Sequence, residues 1–165
     1  MIPDFPKKGI LFQDITSITD NKLLFKEVVN EIAKYVKKNR FTKIAAVEAR
    51  GFIFGSAVSY NTEIPFVPIR KKGKLPGKVL NQKYKLEYGM DEIEIHRNSL
   101  NEKDKVLVVD DLIATGGTAF ASAKLLKKCK VKSIEFYFII DLKNVGGSQK
   151  LGKKYTLSSI LKAEG

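Results

Sequence analysis

Four apolar residues, Val106-Leu-Val-Val109, run into two adjacent carboxylates, Asp110 and Asp111. A small-residue turn, Ala114-Thr-Gly-Gly-Thr118, follows and opens a helical pattern. No other segment constrains the fold as tightly. An apolar run without alternation is buried on both faces, which marks a parallel strand covered by helices. Parallel neighbours need crossover connections, and these are right-handed. The chain is thereby committed to an α/β sheet. The same segment carries chemistry. Glycines let backbone N–H groups converge on an anion, and the helix start adds the positive end of a dipole. Neighbouring carboxylates accept hydrogen bonds from sugar hydroxyls. The expected ligand therefore carries both a phosphate and a vicinal diol. No Gly-Lys-Ser/Thr follows at Walker A spacing, and Gly-x-Gly-x-x-Gly is absent, so both common nucleotide fingerprints are excluded.

Around this unit the chain alternates helical and strand patterns. Residues 1–20 read as an irregular arm with Pro3, Pro6 and Gly9. Asp20 is expected to cap a helix from Lys22 to Lys38, whose apolar positions Leu24, Phe25, Val28, Val29, Ile32, Tyr35 and Val36 recur at helical steps. Ile44–Val47 is a short buried strand, followed by a helix over Phe52–Tyr60. Pro65–Ile69 reads as a strand. Gly73–Gly89 is a long polar stretch, expected to be a mobile loop or a hairpin flap. A helix over Thr118–Cys129 and a strand over Ile134–Ile140 complete the pattern. No repeat, linker or boundary interrupts it, so residues 1–165 read as one domain with an open parallel sheet flanked by helices. Ligands bind such sheets at the carboxyl ends of the strands. Glu48–Gly51, Arg70–Lys74 and Asp110–Thr118 all fall there.

Composition narrows the function. No apolar run is long enough to span a bilayer, and no signal peptide is visible at Met1. The single cysteine, Cys129, allows no internal disulfide and fits a reducing compartment. The net charge of +12 invites a nucleic-acid partner. Against that, the lysines are spread along the chain rather than gathered in an arm, and a pyrophosphorylated substrate would itself be drawn in by a positive field.

Other motifs have a bland and a functional reading. Glu48-Ala-Arg-Gly-Phe52 could be a surface turn, but Arg50 is one of four arginines among 26 lysines. That scarcity favours a specific use of the guanidinium fork on phosphate. Arg70-Lys-Lys-Gly-Lys74 is a solvated charge run or a clamp on a pyrophosphate leaving group. Leu86-Glu-Tyr-Gly89 offers Glu87 as acid or base and Tyr88 as a phosphate donor or lid. Phe12-Gln13 anchors the arm or walls a base slot. His96, the only histidine, has no partners that would make a metal site.

With these residues in hand, the chain resembles the adenine phosphoribosyltransferase family. The matching blocks run almost end to end: Ile2–Pro6, Gly9–Phe12, Asp14–Ser17, Glu48–Phe52, Arg70-Lys71, Gly73–Gly77, Leu86–Gly89, Glu94–His96 and Val106–Thr118. The acidic pair with Thr-Gly-Gly-Thr marks enzymes that bind phosphoribosyl pyrophosphate (PRPP). The arm and flap single out the adenine branch. The resemblance implies a type I phosphoribosyltransferase fold with a small N-terminal hood and a flexible flap. It implies transfer of phosphoribose from PRPP to adenine, giving AMP and pyrophosphate in purine salvage. Mg²⁺ would be held chiefly by PRPP and water, with no protein cage of its own.

The resemblance also implies roles. Asp110 and Asp111 would take the ribose hydroxyls, and Ala114, Thr115, Gly116, Gly117 and Thr118 the 5-phosphate. Glu48, Ala49 and Arg50 would form the pyrophosphate loop, often with a cis peptide between the first two. Lys74 and Tyr88 would close from the flap, Glu87 would manage the adenine proton, and Phe12, Gln13 and Leu142 would contact the base. Gln13 departs from the Arg or Lys common there. A cytoplasmic homodimer is the family expectation. Two rivals remain open at this point: transfer to hypoxanthine or guanine, and a PRPP-sensing regulator that binds nucleic acid.

Overall fold

The computed structural model describes residues 2–3, 11–12, 15–86 and 89–164, without the side chains of residues 2, 3, 11, 12 and 86. In the arm, β1 (Ile2–Pro3) pairs antiparallel with β2 (Leu11–Phe12), and α1 (Thr16–Thr19) follows. The arm is thus less irregular than its prolines suggest.

Helix α2 (Lys22–Asn39) buries Val28, Val29, Ile32, Ala33 and Val36 along one stripe. Its cap is Asn21, not Asp20. The Asn21 side chain accepts from the backbone N–H groups of Leu23 and Leu24, both at 3.1 Å. Asp20 instead ends α1, donating its backbone N–H to Thr16 O at 2.8 Å. Arg40, left-handed at φ 53°, closes α2, with Lys37 and Lys38 near its negative dipole end.

The remaining elements are β3 (Lys43–Val47), α3 (Arg50–Thr62), β4 (Phe66–Lys71), β5 (Val79–Leu86), β6 (Gly89–His96), β7 (Lys105–Ile113), α4 (Gly117–Lys128), β8 (Ser133–Leu142), α5 (Gly147–Gly152) and β9 (Thr156–Ala163). They alternate except for the run of strands from β4 to β7. The sheet order is β5-β6-β4-β3-β7-β8-β9. The five strands from β4 to β9 are parallel. The polar stretch Gly73–Gly89 supplies β5, and β6 begins where it ends: the two form an antiparallel hairpin joined to β4 through β6. The flap is therefore a sheet extension, because its polar residues alternate with Leu80, Tyr84, Ile93 and Ile95, which pack inward.

The central strands sort their side chains by period two. Val106 and Val108 of β7, with Phe136 and Phe138 of β8, face α4 and α5. Leu107 and Val109, with Tyr137 and Ile139, face α2 and α3. Each fully buried aliphatic side chain contributes roughly 1.5–3 kcal/mol. Strand β9 lay outside the sequence expectations. Its mixture of Ser158, Ser159 and Lys162 with Leu157 and Ile160 suits an edge strand covered only in part. Among the described residues no helix is long and apolar enough to cross a membrane.

Candidate active site

The acidic pair does not sit beyond the strand as the sequence suggests. β7 continues through Asp110 and Asp111 to Ile113, pairing Asp110 with Phe138 and Ile113 with Asp141 on β8. Both carboxylates are thus mounted on rigid sheet. The turn that follows places Gly116 at φ 82°, a left-handed conformation natural to glycine, and α4 starts at Gly117. The first N–H groups of α4 lack carbonyls within the helix and are available to an anion.

Strand β3 ends against the same edge. The Glu48–Ala49 peptide is cis, as the resemblance implied, and α3 begins at Arg50. Gly51 lets α3 start hard against β7. A Cβ there would lie 2.8 Å from Asp110 Oδ1 and 3.1 Å from Val109 O. Together these segments line a cleft of about 280 Å³ that includes Glu48, Ala49, Arg50, Asp110, Asp111 and every residue from Ala114 to Thr118.

The charges in the cleft are tightly coupled. Arg50 Nε stands 2.8 Å from Asp111 Oδ2. That buried oxygen nevertheless has no aligned hydrogen bond. It is an acceptor without an aimed donor, the feature a ligand hydroxyl would satisfy. Asp110 Oδ1 accepts the Asp111 backbone N–H at 2.9 Å. Burial, and then the negative charge of Asp111, hold the Asp110 carboxyl well above the usual carboxylate range. Burial also raises Asp111, opposed by the Arg50 guanidinium.

The basic run after β4 is less free than its sequence implies. Arg70 Nε donates to Glu48 Oε2 at 2.5 Å, and the Lys71 backbone N–H donates to Glu48 Oε1 at 3.0 Å. Glu48 is thereby held by β4. Lys71 pairs with Asp91, and Lys72 with Glu92 at 3.1 Å. The carboxylates of β6 neutralise lysines that the sequence reading assigned to pyrophosphate. These lysines remain largely exposed, so the pairs are weak, each within about 0–1 kcal/mol.

Other expected residues do not line the cleft. Lys74 is exposed in the turn after β4, tied by its carbonyl to Arg70. Leu142 is buried in the core on the α2–α3 side, in the same cluster as Ala114. Gln13, Glu87, Tyr88 and the Phe12 side chain lie outside the described residues. Lys71, part of the basic run read from sequence as a pyrophosphate clamp, does line the cleft, as do Tyr84 and Phe138, which were not singled out from sequence. The available signal for Tyr84 was its alternation with Lys83 and Lys85. Its hydroxyl donates to Asp91 Oδ2 at 3.0 Å. Burial raises the Tyr84 phenol, and a hydrogen bond with the Thr118 side chain opposes that shift.

Comparison with known proteins places this geometry. The phosphoribosyl transferase domain family matches residues 14–164. An adenine phosphoribosyltransferase of Prosthecochloris aestuarii is 47% identical, over 99% of this chain and 94% of that protein. One from Pelagibacter ubique is 50% identical, over 93% and 87%. The crystal structure of adenine phosphoribosyltransferase from Thermoanaerobacter pseudethanolicus superposes with a TM-score of 0.93 at 44% identity, covering 98% of this chain and 94% of that one. The Giardia lamblia enzyme, solved with 9-deazaadenine, gives 0.94 at 35% identity, covering 99% and 93%.

Proposed function

Because the chain belongs to the adenine phosphoribosyltransferase family, we propose that it transfers the 5-phosphoribosyl group of PRPP to adenine, releasing AMP and pyrophosphate. The observation that carries this is the meeting of three segments in one cleft: Glu48–Arg50, Asp110–Asp111 and the turn from Ala114 to Thr118. The relative solved with an adenine analogue supports adenine as the base.

A ring nitrogen of adenine forms a bond to C1 of the ribose as the C1–O bond to pyrophosphate breaks. Positive charge develops on the sugar ring and negative charge on the leaving group. Asp110 and Asp111 accept hydrogen bonds from the ribose 2- and 3-hydroxyls and fix the ring. The turn from Ala114 to Thr118 and the start of α4 hold the 5-phosphate. Arg50, on the loop begun by Glu48 and Ala49, stabilises the departing pyrophosphate. Lys74 and Tyr88 close with the flap and exclude water, and Glu87 takes up the adenine proton. Phe12 and Gln13 form the base slot, without Leu142, whose side chain is buried in the core.

Mg²⁺ suits this cleft as an ion carried in with PRPP. Asp110 and Asp111 offer hard oxygen donors, and among the described residues no group of three or more His, Cys, Asp or Glu side chains could hold a metal. Its remaining ligands are then PRPP oxygens and water. When bound, the ion supplies countercharge to the leaving pyrophosphate. We read the chain as one domain acting in the reducing cytoplasm, in keeping with its unpaired, buried Cys129. It works as a homodimer, with small-molecule partners and neither membrane nor nucleic acid among them.

The test is incubation with PRPP, Mg²⁺ and each of adenine, hypoxanthine and guanine, measuring nucleotide and pyrophosphate. AMP from adenine alone is expected. Product from an oxopurine alone would overturn the base assignment. PRPP binding without turnover on any base would overturn the enzymatic reading.

A further inference from the structure

Gly147 lies outside the cleft lining, at the start of α5, yet it touches the turn that lines it. Its backbone N–H donates to Ala114 O at 3.0 Å. A Cβ on Gly147 would stand 2.1 Å from Ala114 O, 2.6 Å from Gly116 N and 2.6 Å from Thr115 C. All three are backbone atoms, so no change of rotamer relieves the clash. The approach is mutual: a Cβ on Gly116 would meet Gly147 Cα at 3.3 Å. Gly116 at φ 82° and Gly146 at φ 84° give both turns the same left-handed bend, and the two interlock backbone to backbone.

We propose that Gly147 is a positioning residue for the turn from Ala114 to Thr118, and that it tunes affinity for the 5-phosphate in particular. The proposal rests on the assignment of that turn to the phosphate. A planar trans peptide directs its C=O and the next N–H to opposite sides. Holding the Ala114 carbonyl against α5 therefore aims the Thr115 N–H away from α5. A backbone donor preset in this way loses no orientational freedom when an anion arrives. A side chain at residue 147 pushes Thr115 and Gly116 out of place and leaves the adenine and ribose contacts intact.

The experiment compares AMP with adenosine, which differ only in the phosphate. Binding of each is measured by calorimetry to the wild type, to Gly147→Ala and to Gly152→Ala. Gly152 is in the same helix with nothing within 4 Å of an added Cβ, so it controls for the glycine-to-alanine change itself. Gly147→Ala is expected to weaken AMP by about 10- to 100-fold while adenosine stays within about twofold and Gly152→Ala matches the wild type. If Gly147→Ala keeps the wild-type ratio of AMP to adenosine affinity, the proposal is wrong, whatever its Tm. If the wild type itself fails to prefer AMP, the phosphate assignment falls instead. Should Gly147→Ala not fold, hydrogen exchange on the wild type decides. The Gly147 amide is expected to slow with AMP and not with adenosine, and equal protection by both overturns the proposal.

Discussion

Replacing Asp110 with Asn should stabilise the protein and impair it. Asp110 and Asp111 are adjacent on β7, and Arg50 is the cation near them, pairing with Asp111. Both carboxyls are raised, Asp110 well above its ordinary value near 3.8, through burial and the charge of Asp111. A carboxyl raised in the folded state binds more protons there than in the unfolded chain. Its folded form is therefore favoured at low pH and loses stability as pH rises from about 4 through the raised value. Asn keeps the shape and can still accept the Asp111 backbone N–H made at 2.9 Å, while removing the charge. Relief of this kind is worth about 0.5–2 kcal/mol, or roughly 1–8 °C in Tm for a chain of this size. The ribose loses a charged acceptor, worth about 1.5–3 kcal/mol, so AMP binding should weaken by roughly 10- to 150-fold. Thermal unfolding of both proteins between pH 5 and pH 8, without ligand, tests the first half, and calorimetry with AMP the second. The Tm advantage of Asp110→Asn must widen as pH rises. A constant or shrinking advantage would refute the claim that the ionised pair costs stability.

Three further outcomes are expected. Arg50→Gln should raise the KM for PRPP and cut kcat/KM by about 100-fold, since one charged phosphate contact is lost and Asp111 is left without its cation; steady-state kinetics check this, and an unchanged KM for PRPP would separate Arg50 from pyrophosphate. Glu87→Gln should lower kcat far more than it raises that KM, and undiminished turnover removes Glu87 from the mechanism. Tyr84→Phe removes the hydroxyl that bonds across the hairpin to Asp91, at about 0.5–1.5 kcal/mol. Faster amide exchange along β5 and β6 is the expected signature, and unchanged exchange would show that the hydroxyl does not hold the hairpin.

The site was readable where local sequence dictates local backbone. Val106–Thr118 announces strand, acid pair and glycine turn because each step has its own residue preference, and Glu48–Gly51 does the same for the second loop. Side-chain partners were not readable, because they join residues far apart in the chain. Arg70 and Lys71 look like free phosphate ligands in sequence, and only the folded sheet brings Glu48 and Asp91 to them. Asp20 and Asn21 are both good caps; α2 begins at Lys22 as expected, and Asn21, directly before it, is the residue whose side chain reaches its first N–H groups.

Gly147 is the plainest case of the same division. As a letter it is one of 12 glycines, and nothing near it in sequence marks it out. Its need to be glycine arises from Ala114, thirty-odd positions earlier, after β8 has returned the chain to the cleft. Apolar period, glycine bends and paired acids acted within a few residues, so the sequence by itself determined the α/β class, the acidic edge and the glycine turn beside it. Which charges neutralise one another, which face of the flap turns inward and which backbone atoms touch depend on strand order and register, and those were decided only when the sheet closed on its core.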